Sequence, residues 1–250
     1  MAFSFFMKRK PAEAKSKPAK IQNKPAPIEV APAHSQSVSP PAIGKAVYAF
    51  IDASNLFWGG QESLGFRINY SLLIEGMRKK YNVTKAFYYG GVRIFDFEYS
   101  ILDNKPLDLA ELMDHLLALK QKSEPAEAEL VEKSIKKIHF YQLLEGYGYT
   151  MRIKPAKVFY DEDDEKQERP ILKANCDVDM TFDMMRYMSQ YSGIVAMTGD
   201  GDFAAALNYL KHQNRQVTVI SRWDRTAKEI RQIGDESFID LSHFYRQIRH

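Results

Sequence analysis

Short apolar runs alternate along this chain with longer segments in which apolar residues recur every three or four positions. Runs of the first kind read as strands and segments of the second as helices, because side chains change faces at every residue of a strand but return to one face every 3.6 residues of a helix. Residues 47–51 (VYAFI) are of the strand type and end in Asp52. Residues 70–81 have helical spacing with Leu72, Leu73 and Met77 inward, and residues 85–89 (KAFYY) predict a second strand, stopped by Gly90 and Gly91. A helical stretch over 106–144 breaks near Pro125. Residues 151–160 and 170–173 flank an acidic run at 161–165 and predict a hairpin with that run at its tip. A helix over 177–191, a strand over 194–198 (IVAMT), a helix over 202–212 and a strand over 216–220 (QVTVI) complete the pattern. Strands that are apolar throughout need cover on both faces. The alternation therefore predicts an α/β fold, a parallel sheet with helices on both faces.

Composition changes this picture mainly at one end. The 250 residues, 45% hydrophobic and 27% charged, suffice for a sizeable core. They contain no apolar stretch near the roughly 20 residues a bilayer crossing needs, so no membrane span is expected. One cysteine excludes an internal disulfide and a four-cysteine zinc site, which points to a reducing compartment, the cytoplasm. Residues 1–44 are rich in Lys, Pro, Ala and Ser, and from residue 8 to 44 they hold no aromatic residue. Such a segment cannot bury enough apolar surface to offset its ordering entropy, so a disordered tail is expected there, with the domain over 45–250. The opening MAFSFFM precedes KRK, the reverse of the order in a secretory signal. The net charge of +3 divides into +6 over residues 1–45 and −3 over the rest. Affinity for a polyanion must then come from a local patch, from bound cations, or from the basic tail, which could tether RNA or a protein complex.

In parallel sheets ligands sit beyond the carboxyl ends of the strands. Asp52 lies there in FIDASN, and Asp200 and Asp202 lie there in TGDGDF. Asp177 opens a helix after a strand end, with Asp179 and Asp183 on the same helix. Each aspartate alone reads equally well as a helix cap, and the pair at 179 and 183 as solvated. Convergence of three segments on one edge shifts the balance, since clustered carboxylates repel unless a cation sits among them. Mg²⁺ or Mn²⁺ suits such hard oxygen donors. Asn55, otherwise a turn residue, would hold a carboxylate or a water in place.

The segments YAFIDASN, KANCDVDMTFDMM, IVAMTGDGDF and DESFIDL resemble the successive motifs of the NYN domain family, the LabA-like branch of the PIN-like nucleases, over about residues 46–241. The resemblance implies a Rossmann-like (PIN-like) sandwich that hydrolyses RNA with a divalent metal, leaving a 5′-phosphate and a 3′-hydroxyl. It carries catalytic roles to Asp52, Asn55, Asp177, Asp200 and Asp202, with the four aspartates as metal ligands. Asp179 and Asp183 would support them. The family has a Lys-Gly pair before the central aspartate, where this chain has Lys173 followed by Ala174. The helical stretch at about 96–137 is longer than the minimal domain and reads as an insertion. Lys173, Arg93, Arg222, Trp223 and Thr198 are candidates for holding the substrate, a single-stranded RNA. Tyr89, Gly90, Trp58 and Ser221 fall on the same edge. Trp223 reads equally well as a ring packed under the next helix.

Two other classes compete. A haloacid-dehalogenase-type phosphatase also uses a first-strand aspartate and a late GDG, but requires a second aspartate where this chain has Ser54. A catalytically silent RNA-binding or protein-interaction module could use the same fold. Cys176 reads as a packed small residue rather than a nucleophile.

Overall fold

The computed structural model describes residues 46–56, 67–103, 105–159, 171–234 and 237–248. The tail at 1–44, Trp58 and the acidic run at 161–165 lie outside these. In chain order the elements are β1 (Val47–Asp52), α1 (Ala53–Leu56), α2 (Tyr70–Tyr81), β2 (Val83–Val92), α3 (Leu109–Lys122), α4 (Pro125–Tyr147), β3 (Tyr149–Pro155), β4 (Lys157–Phe159) and β5 (Ile171–Lys173). They continue with α5 (Asp177–Arg186), β6 (Gly193–Met197), α6 (Ala204–His212), β7 (Gln216–Ser221), α7 (Lys228–Gly234), β8 (Phe238–Asp240) and α8 (Leu241–Ile248).

Six strands pair in parallel in the order β3-β2-β1-β6-β7-β8. Numbered within the sheet alone this is 3-2-1-4-5-6, the doubly wound order in which the direction of winding reverses between the first and fourth strands. That reversal falls between β1 and β6, whose register sets Val47 opposite Gly193 and Ile51 opposite Met197. Successive residues of β1 feed two separate cores. Ala49 and Ile51 pack with α2, α3, α4 and α8, whereas Tyr48 and Phe50 pack with α5, α6 and α7. All four are buried, and burial of a Phe50 or an Ile51 contributes about 1.5–3 kcal/mol. The α/β expectation and the helices on both faces are thus observed.

Local signals explain the ends of the helices. The Asn69 side chain accepts from the Leu72 amide and caps α2, which ends at Asn82 with φ 55°. Asp108 accepts from the amides of Ala110 and Glu111 to cap α3. Pro125 begins α4, where its missing N–H is harmless, and Gly148 ends it at φ 93°.

Several expectations need correction. β2 runs through Gly90 and Gly91 rather than stopping there. The glycines serve close approach: a Cβ on Gly91 would lie 2.1 Å from the Ala174 Cβ, and one on Gly90 2.8 Å from the Tyr141 hydroxyl. Residues 151–155 belong to the parallel sheet, and the hairpin pairs only Lys157–Phe159 with Ile171–Lys173. Ile74 takes the buried place expected for Leu72 in α2, beside Leu73 and Met77. α5 stops at Arg186 and a separate 3-10 turn, Met188–Gln190, follows it. The stretch read as an insertion over about 96–137 contains α3 and the first half of α4. The rest of α4 carries the chain back to β3, as a crossover between parallel strands must.

Candidate metal centre

At the reversal point the carboxyl ends of β1 and β6 diverge and leave a crevice. After β6 the chain turns at Thr198 and Gly199 into a 3-10 turn, Gly201–Phe203. Asp200 caps that turn by accepting from the Asp202 amide at 3.0 Å, so both aspartates are held at the crevice on one rigid corner. Asp177 arrives from the opposite side as the first residue of α5. The α5 start is held by Asn175, whose side-chain oxygen accepts from the Asp177 amide at 2.9 Å, leaving the Asp177 carboxylate free of capping duty. One carboxylate oxygen from each of Asp177, Asp200 and Asp202 lies within 4.8 Å of the others. No Lys or Arg among the described residues forms an ion pair with any of the three.

Asp52 stands at the end of β1 but outside this trio. Its Oδ1 accepts from the Ser54 amide at 2.9 Å and the Ser54 hydroxyl at 2.6 Å. Burial raises its pKa, hydrogen bonds from Ser54 and the Asn55 amide oppose that rise, and the Asp200 charge adds to it. The Asp177 pKa is likewise raised, first by burial and then by repulsion from Asp52, Asp200 and Asp202. Four negative groups thus share one field, although only three are close enough to hold one ion together. The donors are all hard carboxylate oxygens, which fits Mg²⁺ or Mn²⁺ and disfavours softer metals.

The remaining site candidates divide. Asn55 binds the corner together: its side-chain amide nitrogen donates to the Ser221 hydroxyl at 3.3 Å, which links α1, just after β1, to the end of β7. Gly199 is pinched there, since a Cβ would lie 2.8 Å from the Ser221 hydroxyl and 3.2 Å from the Asn55 Oδ1. Thr198 is fully buried and its hydroxyl accepts from the Asp200 amide at 3.2 Å; it shapes the turn and is not open to a substrate. Trp223 keeps 55% of its surface exposed, with its ring edge-on to Phe238 and Arg231 over its face at 4.8 Å, so it is not packed under a helix. Arg222 is engaged by Asp224 through two bonds of 3.1 and 3.3 Å. Arg93 lies over Phe95 at 4.3 Å. Lys173 is exposed at the end of β5, four residues before Asp177. Tyr89, opposite Asp52 in the ladder, is buried and donates to Asp183.

Asp179 and Asp183 are not a solvated pair. Asp179 pairs with Lys154 at 2.6 Å. Asp183, 3% exposed, accepts from Arg152 at 2.8 Å, Tyr89 at 3.0 Å and Arg186 at 2.5 Å. None of these partners belongs to the trio, so Asp183 supports the fold beneath α5. The Cys176 thiol is pushed up to about 12 by burial and rests against the Gly90 carbonyl, which keeps it protonated and unreactive at neutral pH.

Against this geometry, the family model described as NYN domain matches residues 46–242. The chain belongs to the NYN domain family. The match takes in the four aspartates, Asn55 and all eight strands of this NYN domain. Its sequence is 37% identical over 103 residues to the low amplitude and bright protein LabA of Synechococcus elongatus, covering 41% of this chain and 54% of that protein. The alignment thus spans about half the length of that relative. A solved structure of a protein of unknown function from Vibrio parahaemolyticus is similar with a TM-score of 0.48 and 16% identity, covering 79% of this chain and 93% of the other. Among the described residues, no helix of the NYN domain is long and apolar enough to cross a membrane.

Ser221, which the sequence places on this edge, crowds Gly199 together with Thr226, and Thr226 looks like an ordinary loop residue. Asn175, the holder of Asp177, could have been found, because Asn two residues before a helical carboxylate is a capping signal.

Proposed function

We propose that this NYN domain is a metal-dependent ribonuclease that hydrolyses phosphodiester bonds of RNA. The observation that carries the reading is the meeting of Asp177, Asp200 and Asp202 within 4.8 Å at the reversal point of the sheet, with no ion-paired Lys or Arg among the described residues to offset them. A divalent ion held by these three, with Asp52 behind them, supplies a Lewis acid that lowers the pKa of water and offsets the charge developing on phosphate. The chain itself does the positioning. The Asp200 cap and the Asn175 bond fix two walls of the crevice before any ligand arrives, so little reorganisation is left for binding. Asn55 ties α1 to the end of β7 and keeps the Gly199 corner at its separation from Asp177. The Ser54 bonds, with the Asn55 amide, orient Asp52. Trp223, exposed at the same edge, offers a ring on which an unpaired base can stack.

The test is cleavage of labelled single-stranded RNA by the purified full chain with Mg²⁺ or Mn²⁺, with and without EDTA. Cleavage that EDTA stops, and that Asp200→Asn lowers at least a hundredfold, is the expected result. RNA bound but left intact by wild type with either metal would replace this reading with a silent RNA-binding module. Hydrolysis of small phosphomonoesters alone would favour a phosphatase.

A further inference from the structure

A cavity of about 540 Å³ opens beside the carboxylate cluster, bounded by Asp52 and Asp177 on one side and by α4 on the other. Its size is that of a small-ligand site rather than of a packing defect. Its walls differ in chemistry from the acidic crevice. Tyr70 and Phe140 are half-buried and line it with ring surface, and their centroids are 5.1 Å apart, edge to face. Tyr88 and Tyr141 are buried and brace Phe140 at centroid distances of 6.3 and 5.9 Å, so the aromatic wall is held rather than mobile.

Two cations stand at the α4 side. Lys136 and Lys137 both line the cavity and both are exposed. Among the described residues Lys136 pairs only with Glu132 on its own helix, at 3.5 Å, a pairing of a kind worth little in water. Lys137 forms no ion pair among the described residues. Elsewhere the cavity is made of small groups. Gly91 meets Ala174 so closely that a side chain at position 91 would clash with it.

Carboxylates, aromatic rings and two exposed lysines lining one cavity are the set of groups that matches one nucleotide of a polynucleotide. We propose that this cavity is a nucleotide subsite that receives the base and sugar of one unpaired RNA nucleotide next to the scissile phosphate, with Phe140 and Tyr70 as the stacking surface and Lys136 and Lys137 against flanking phosphates. The assignment rests on the nuclease reading and adds to it a basis for strand selection. A base held in a Watson–Crick pair cannot enter a space of this volume without being drawn out of its helix, so duplex RNA is excluded. The selecting residues lie on the crossover helix α4 and at the start of α2, on elements other than those that carry Asp177, Asp200 and Asp202.

The experiment measures binding of the full chain to a fluorescent single-stranded oligouridylate in EDTA, where no cleavage intervenes. Phe140→Leu keeps apolar volume but removes the ring, and should weaken binding about tenfold. The pair Lys136→Ala and Lys137→Ala should flatten the dependence of log affinity on log salt by about 0.7 per lysine. Asp200→Asn should bind no more weakly than wild type while losing cleavage in Mn²⁺. If wild type cleaves but the Phe140 and lysine variants bind with unchanged affinity and salt slope, the subsite is overturned and the nuclease reading stands. Equal affinity of wild type for a blunt duplex of the same length also overturns it. If the variants lose binding but wild type cuts RNA with neither metal, the subsite is supported and the nuclease reading falls.

Discussion

Two positions along helix α5 carry the same residue type in opposite circumstances. At the first residue, Asp177 faces Asp200 and Asp202 with no ion-pair partner among the described residues, and its pKa is raised by burial and by its acidic neighbours. Less than two turns on, Asp183 is more deeply buried yet is matched by Arg152, Arg186 and the Tyr89 hydroxyl. A carboxylate that serves the fold is given its counter-charge by the fold. One that is left without it, in a crevice built from three separate segments, is held ready for a charge from outside. Burial alone would have picked out Asp183 as the more unusual residue; the missing partner distinguishes Asp177.

The strongest way to break this comparison is to neutralise each position in turn. Asp177→Asn or Asp202→Asn should lower RNA cleavage by a hundredfold or more while leaving the melting temperature in EDTA unchanged or raised, because like-charge repulsion is relieved. Asp183→Asn should do the reverse in kind. It leaves Arg152 and Arg186 without their shared carboxylate, a loss of about 3 kcal/mol, or roughly 6–12 °C in melting temperature for a domain of this size. Equal destabilisation by both substitutions would mean that the trio is structural.

A divalent cation sharpens the contrast. Mn²⁺ at a hundred times its dissociation constant should stabilise wild type by about 2.7 kcal/mol, and Asp183→Asn should gain the same amount from its lower baseline. Asp177→Asn should gain little. Without metal, the raised Asp52 and Asp177 pKa values mean that the folded chain binds protons more tightly than the unfolded one. Stability in EDTA should therefore decline as pH rises from about 4 through those raised values, and a pH series of melting curves with and without Mn²⁺ reads the difference. The smallest effect is expected in the middle of the helix. There Lys154 pairs with Asp179 and also donates to the Asn175 carbonyl, both partly exposed, and Lys154→Met should cost about 1 kcal/mol.

The sequence revealed the strands that are apolar throughout. VYAFI, IVAMT and QVTVI stand out because both their faces are buried, and together they place Asp52 and the Asp200 corner on one edge. β8, with three half-buried residues, carries no such pattern; only the resemblance of DESFIDL pointed there. Gly90 and Gly91 read as a strand end because glycine usually interrupts a strand, whereas here it admits Tyr141 and Ala174 to the backbone. Asp183 was misread because its partner Arg152 lies 31 residues away, and periodicity along a helix says nothing about a charge on another strand. Lys136 and Lys137 were invisible for a related reason: on the exposed stripe of a helix, lysine is what solvent alone would select.

The pairing of β1 with β6 sets the order in which the parts come together. Val47 and Gly193 are neighbours across the central ladder, yet nearly all of α2 to α5 is threaded between them. Such distant pairing is a late and slow event in folding, so an incomplete chain emerging during synthesis cannot bring its carboxylates into place. The crevice exists only once most of the domain does, and a fragment cut anywhere before β6 loses it entirely.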